Sequence, residues 1–138
     1  MPLFERLFPP VPDLQIDRRY DAHHAGPWQI GDEVTVDVTV RSRAAVQYVA
    51  IEDPFPAGVE YQPDQAMAAW NWSGVQFFDD RAVFFATAVW PQYPLHLSYK
   101  LRVTTPGAYA APAPVAYAMY GPPLRAVGRP QRVDVVEP

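Results

Sequence analysis

The sequence has no cysteine, a single lysine and only seven glycines in 138 residues. The absence of cysteine excludes disulfides, cysteine-ligated zinc, thiol nucleophiles and a cysteine-derived thioester within this chain. The formal net charge is −4, and the arginines are scattered along the chain. A basic footprint, which nucleic-acid-binding domains carry, is therefore missing, and we expect no nucleic-acid partner.

The sequence also lacks a long apolar run that could cross a membrane. Its longest uncharged stretch, Val103–Leu124, is interrupted by five prolines and two glycines. Met1–Pro12 has no apolar core after a basic start and does not look like a signal peptide. We interpret it as a lead-in segment before a single domain, residues 13–138, and expect any export signal on a longer parent chain.

Proline is abundant, with 17 residues, or about 12% of the chain against an average near 5%. Because proline interrupts helix interiors and central strands, long helices and helical bundles are disfavoured. Hydrophobic residues make up 49% and aromatic residues 14% of the sequence, which is enough for a packed core. The composition predicts a β-rich globular domain.

Alternation of apolar and polar residues dominates two segments, Asp32–Ser42 and Leu95–Val103. A period of two is typical of strands in an antiparallel sheet with one face on the core and one in water. The residues predicted to be buried are Val34, Val36, Val38, Val40, Leu97, Tyr99, Leu101 and Val103.

Further strands are predicted along the rest of the chain. Val46–Glu52 is one strand, and Val75–Ala86 is a hairpin that turns at Asp79-Asp80. Tyr109–Tyr120 contains two prolines and is predicted as an edge strand or a strand that switches sheets. Arg132–Val136 is a short last strand. Eight or nine short strands with turns between them predict an all-β fold, an antiparallel sandwich of the immunoglobulin-like or macroglobulin-like kind.

Residues that could carry chemistry are few. His23-His24 adjoin Asp21, but neighbouring strand residues point to opposite faces and no third ligand is near, so we predict solvated histidines and no metal. The acidic pairs Asp32-Glu33, Glu52-Asp53 and Asp79-Asp80 lie at strand ends or turns without a calcium-loop pattern. We assign them turn or solvation roles. No serine stands in a G-x-S-x-G motif, so we predict no catalytic residue, no cofactor and no enzymatic activity.

Aromatic residues are concentrated between positions 70 and 93, beginning with Trp70 and Trp72. Neighbouring residues on a strand point to opposite faces, so one phenylalanine of each pair, Phe77-Phe78 and Phe84-Phe85, belongs to the core. The second phenylalanine of each pair must be covered by some other part of the protein. Three interpretations stay open, namely packing inside the domain, an apolar surface for another domain and a platform for carbohydrate. The candidate interdomain residues are Phe77, Phe78, Phe84, Phe85, Trp90, Tyr93 and, further along the chain, Tyr120.

Three segments in order resemble one family. They are GDEVTVDVTVRS…YVAIEDPFPAGVE (Gly31–Glu60), DDRAVFFA (Asp79–Ala86) and YKLRVTTPGAYAAPAPVAYAMYGP (Tyr99–Pro122). Together they resemble the C-terminal macroglobulin-like domain of bacterial α-2-macroglobulins, over nearly the whole chain from about Leu14 onward.

The resemblance implies a non-enzymatic domain of a large periplasmic, broad-range protease inhibitor. In that family a protease cleaves a bait region, the molecule rearranges, and in many members a thioester captures the protease. The C-terminal domain packs on the thioester domain and the preceding macroglobulin-like domains, shields the thioester, and meets target proteases only through the full-length protein. On this basis we expect the docking surface at Phe77–Tyr93, with the PAG turn or the MYGP segment as second choice.

An alternative is a β-sandwich repeat or adhesion module of a bacterial surface protein. Val46–Tyr61, a strand followed by the PAG turn, fits either class of protein. The AMYGP segment and the DDR hairpin favour the macroglobulin family, because adhesin repeats are not expected to carry them.

Overall fold

The computed structural model describes residues 13–68, 72–121 and 123–138, so the predicted lead-in Met1–Pro12 lies outside the described residues. The strands in the described part of the chain are β1 (Leu14–Asp21), β2 (Trp28–Gln29), β3 (Glu33–Ser42), β4 (Val46–Pro54), β5 (Val59–Ala68), β6 (Trp72–Phe77), β7 (Arg81–Val89), β8 (Leu95–Val103), β9 (Gly107–Ala111), β10 (Val115–Ala118), β11 (Arg125–Val127) and β12 (Gln131–Val136).

The count of twelve described strands corrects the prediction of eight or nine. Strands β2 and β11 have two and three residues, which is too short to show alternation in the sequence. The prolines at 112 and 114 divide the predicted strand Tyr109–Tyr120 into β9 and β10. No helix in the described part of the chain is long and apolar enough to cross a membrane.

The strands form three sheets. Their orders are β1-β3-β8-β5, β11-β10-β4-β7-β6 and β2-β12-β9, and the pairs are antiparallel except for β2 with β12. The two larger sheets pack face to face, with the Phe84 ring on β7 lying 5.8 Å from the Tyr99 ring on β8. The predicted antiparallel β-sandwich is confirmed.

The alternating segments supply the core as predicted. The four valines of β3 and the four apolar residues of β8 named above are each at most 2% exposed. Their polar neighbours form the wet face, where the Lys100 ammonium lies 3.1 Å from the Glu33 carboxylate. Burial of alternate side chains therefore fixes the register of both strands.

A predicted turn and a predicted change of sheet decide how the five-stranded sheet is built. The hairpin β6–β7 turns at Asp79-Asp80 as expected, and the Phe78 N–H donates to the Arg81 carbonyl over 2.8 Å. Between β9 and β10 the chain leaves the three-stranded sheet and joins the five-stranded one, which confirms the predicted switch. The switch places the segment after β10 beside the start of β4, since Ala118 pairs with Val49.

Candidate functional site

Of the acidic residues to which turn roles were assigned, Asp32 and Asp80 lie at turns next to β3 and β7. The Gln29 N–H donates to the Asp32 carboxylate over 2.8 Å, and the Asp80 carboxylate lies 3.0 Å from the Arg81 guanidinium. His23 is an exposed loop residue, while the Nε2 atom of His24 lies 2.6 Å from the Asp32 carboxylate. In the described part of the chain, no three His, Cys, Asp or Glu side chains are grouped to hold a metal ion.

The ion pair of His24 and Asp32 at the surface predicts that the stability of the chain depends on pH. Hydrogen bonds to the Ala25 carbonyl and to Asp32 raise the pKa of His24 above its ordinary value of 6.5. The Gln29 N–H, together with His24, lowers the pKa of Asp32 below 3.8. The contribution of His24 to stability is complete below pH 6.5 and is lost as the pH rises through its raised pKa. That of Asp32 is lost as the pH falls through its lowered pKa.

An NMR titration of the His24 ring checks this prediction. We expect a pKa above 6.5 in the native chain and a lower value in Asp32→Asn, with Asp21→Asn as the matched control that leaves the His24 titration unchanged. An identical His24 titration in the native and Asp32→Asn chains contradicts the prediction.

The predicted aromatic surface on the hairpin is divided by the structure. Phe84 is fully buried, which corrects its place among the surface candidates, because it is the core-facing member of its pair. Phe77 and Phe85 are half-buried, and the Phe77 ring stacks on the Tyr61 ring at 4.7 Å. Phe78 is exposed beside the Asp79-Asp80 turn, with the Arg81 guanidinium over its ring at 4.4 Å.

Trp90 and Tyr93, which are also exposed, lie at the opposite end of β7 from Phe78. Eight residue steps along a strand span about 26 Å, so these aromatics do not form one continuous surface with Phe78. Trp90 instead follows Val89, which pairs with Val46 at the start of β4.

A second group of apolar side chains is exposed at this same end of the five-stranded sheet. Tyr48 is 51%, Met119 41% and Tyr120 70% exposed. The rings of Tyr48 and Tyr120 meet edge to face with centroids 5.7 Å apart, and the Met119 N–H donates to the Tyr48 carbonyl over 2.8 Å. We call these three residues the tyrosine patch. A groove of about 640 Å³ adjoins it, and Val46, Ala118 and Leu124 are among its lining residues.

The amino-acid pattern predicted Tyr120 as a surface residue but did not predict Tyr48 as one. The two residues are 72 positions apart, and only the pairing of β10 with β4 brings them together. A sequence signal existed for the Tyr120 side, since the AMYGP segment carries the family resemblance. Tyr48 also belongs to a segment of the resemblance, YVAIEDPFPAGVE, but no pattern in that segment marks its side chain as exposed.

A buried ionic network lies behind the surface and corrects the prediction for Asp53. The Arg18 guanidinium donates to the Asp53 carboxylate over 2.7 Å, and both side chains are at most 1% exposed. Arg18 also donates to the Pro112 carbonyl and to the Gln131 side chain, each over 2.9 Å, and the Tyr99 hydroxyl donates to the second Asp53 oxygen. The network joins residues from all three sheets. Asp53 is therefore not a solvated turn residue.

The environment of this network gives it a structural role. Burial raises the pKa of Asp53 above its ordinary value, while the charge of Arg18 acts in the opposite direction. Burial also raises the pKa of Tyr99, so its hydroxyl stays protonated and remains a donor. Because Arg18 and Asp53 have almost no exposed surface, they are not placed to meet a substrate.

Two segments that carry the family resemblance meet at the end of the sandwich opposite the tyrosine patch. The N–H groups of Thr104 and Thr105 donate to the Gly58 carbonyl over 2.8 and 3.2 Å. The Tyr109 hydroxyl donates to the Thr105 and Pro106 carbonyls, and its ring lies directly against Gly58. The PAG turn and the TTPG segment thus form one packed unit.

Comparison with known proteins agrees with the sandwich and with these segments. Residues 13–123 match the family described as the bacterial alpha-2-macroglobulin MG10 domain. Alpha-2-macroglobulin of Escherichia coli K12 is 31% identical over an alignment of 128 residues, and the match covers 78% of this chain and 8% of that protein. The chain therefore spans a small part of the length of this relative.

Solved structures show the same likeness. Salmonella alpha-2-macroglobulin reacted with methylamine superposes with a TM-score of 0.77 and 27% identity, over 90% of this chain and 9% of that one. Trypsin-activated alpha-2-macroglobulin from Escherichia coli gives a TM-score of 0.75 and 28% identity, over 89% and 10% of the two chains. Since the family match covers most of the sequence and the fold agrees with it, this chain belongs to the bacterial alpha-2-macroglobulin MG10 domain family.

Proposed function

We propose that this chain is the non-enzymatic C-terminal domain of a bacterial alpha-2-macroglobulin-like, broad-range protease inhibitor. In this proposal the tyrosine patch docks on the thioester region of the parent chain and shields it until a protease acts. The observation that carries the proposal is the continuous, exposed patch of Tyr48, Met119 and Tyr120. All three residues belong to segments that carry the family resemblance, Tyr48 to the first and Met119 and Tyr120 to the third.

The chemistry of the patch suits a contact between domains. Tyrosine combines a large apolar ring with a hydroxyl that tolerates water, and it is enriched at interfaces. Interfaces between domains of one chain bury roughly 600–1,500 Å². Trp90 and Tyr93 at the same end of the sheet extend the apolar surface available for such a contact.

The relatives support two parts of the proposal, namely docking on a neighbouring domain and the presence of a thioester in the parent chain. They are long proteins of which this chain matches only 8–10%, so neighbouring domains are the natural partners. One was solved after activation by trypsin and another after reaction with methylamine. Methylamine is a small nucleophile, and a thioester is the kind of activated acyl group with which it reacts.

Membership of this family also bears on the location of the parent protein and on its remaining partners. We place the parent protein in the periplasm or elsewhere outside the cytoplasm, where foreign proteases arrive. Target proteases meet this domain only through the full-length protein, because a domain without a bait region has nothing for them to cleave productively. No cofactor has a role in the proposal.

Substituting Tyr120→Ala in the full-length parent tests the proposal. Removing a central interface aromatic typically costs at least about 1.4 kcal/mol of binding, a factor of about ten. We therefore expect the parent to convert about ten times faster, without protease, to the form that protease treatment produces. Native-gel mobility measures conversion, and labelled methylamine measures exposure of a thioester.

Phe78→Ala is the matched control, because it removes an exposed aromatic at the opposite end of β7. It should leave the conversion rate unchanged. If Phe78→Ala accelerates conversion and Tyr120→Ala does not, docking occurs through the hairpin turn and the proposed surface is wrong.

A further inference from the structure

Tyr48 has an unusual backbone conformation for its position. Its φ angle is 57°, in the left-handed region that bulky side chains rarely enter. Within the described residues, the other non-glycine position of this kind is His23, which lies in a loop. Tyr48 lies instead inside β4, the central strand of the five-stranded sheet, near the start of that strand.

The conformation changes which side chains of β4 face the core. Val46 and Val49 are both buried, whereas Gln47 and Tyr48 between them are both exposed. Regular alternation would turn Gln47 inward. Glycine would allow the same backbone shift at lower cost, since it has no Cβ to clash in the left-handed region. The shift accounts for the φ angle, but it does not explain why the residue at this position is tyrosine and not glycine.

The contacts of Tyr48 explain why a tyrosine occupies this position. Its carbonyl accepts the Met119 N–H over 2.8 Å, and its ring meets the Tyr120 ring at an interplanar angle of 83°. Both partners follow β10 and precede Gly121, at the point where the chain leaves the sheet. Tyr48 is therefore the sheet residue against which the Met119–Tyr120 segment is held.

We propose that Tyr48 is a positioning residue of the docking surface, with a ring that orients Tyr120 and a carbonyl that fixes Met119. This inference rests on the proposed function of the tyrosine patch. It adds that backbone strain in β4 is retained because the Tyr48 ring keeps the surface in its docking arrangement.

Tyr48→Gly in the full-length parent separates docking from folding. Glycine relieves the left-handed strain, so hydrogen exchange measured by mass spectrometry should show the core of β4 and β7 equally or better protected. The Met119–Tyr120 segment should exchange faster, and conversion without protease should accelerate about two- to tenfold, the equivalent of an aromatic pair. If Tyr48 has only a structural role in β4, Tyr48→Gly should leave the exchange of Met119–Tyr120 unchanged and should leave conversion unchanged or slow it.

Tyr48→Phe is the conservative variant, because it keeps the ring and should restore both the protection and the slow conversion. If Tyr120→Ala accelerates conversion but Tyr48→Gly does not, the positioning role is wrong and the proposed function stands. If Tyr120→Ala itself has no effect, both proposals fail.

Discussion

Asp53→Ala is expected to lower the free energy of unfolding of this chain by about 3–5 kcal/mol. The substitution leaves the Arg18 guanidinium buried without its counter-charge, and it removes the acceptor of the Tyr99 hydroxyl. Arg18 keeps its bonds to the Pro112 carbonyl and to Gln131, which limits the loss. Chemical denaturation at neutral pH measures the difference in unfolding free energy.

Asp13→Ala is the control, because its carboxylate pairs with Arg43 over 3.1 Å at the surface, where both side chains are more than half exposed. Exposed pairs contribute at most about 1 kcal/mol. The double variant Arg18→Met with Asp53→Leu removes both charges and should recover part of the loss. A loss below 1 kcal/mol in Asp53→Ala would show that the pair is not buried as described.

Gly58→Ala is expected to cost about 2–5 kcal/mol of stability, from two separate causes. The φ angle at Gly58 is 79°, and a side chain in this left-handed region costs roughly 1–2 kcal/mol. A Cβ there would also lie 2.6 Å from the Tyr109 ring, and overpacking of this kind costs about 1–3 kcal/mol. Thermal and chemical unfolding measure the sum.

Two further variants separate the causes. Gly31→Ala has a φ angle of 93° with open space around its Cβ, so it reports backbone strain alone. Gly58→Ala in a Tyr109→Ala background lacks the clash and should cost no more than Gly31→Ala. Equal losses for Gly58→Ala with and without Tyr109 would contradict the contribution of the ring.

The strands of the core were predictable because their burial is periodic. Val34 to Val40 and Leu97 to Val103 alternate with polar residues, and a one-residue slip would expose every one of them. The hairpin at Asp79-Asp80 and the sheet switch at the prolines were predictable because turn and breaker residues act locally. Strands of two or three residues, such as β2 and β11, carry no such pattern.

The buried network escaped the sequence analysis because its charged residues look like surface residues in an alternating strand. Arg18 stands at an inward position of β1, but arginine is rarely buried, so the pattern gives it no partner. That partner, Asp53, follows Glu52 next to a proline and resembles a solvated turn. The two are 35 residues apart, and only the packing of the sheets makes them a pair.

The sequence by itself determined the class of fold, the inward face of its long strands and, through three ordered segments, the family. Those properties depend on local periodicity and on residue types, which a linear sequence displays. The tertiary structure decided which aromatics remain exposed, that Phe84 is core, and that Tyr48 and Tyr120 form one surface. These properties depend on strand order and on sheet packing, which bring together residues far apart in the chain and so leave no local pattern to read.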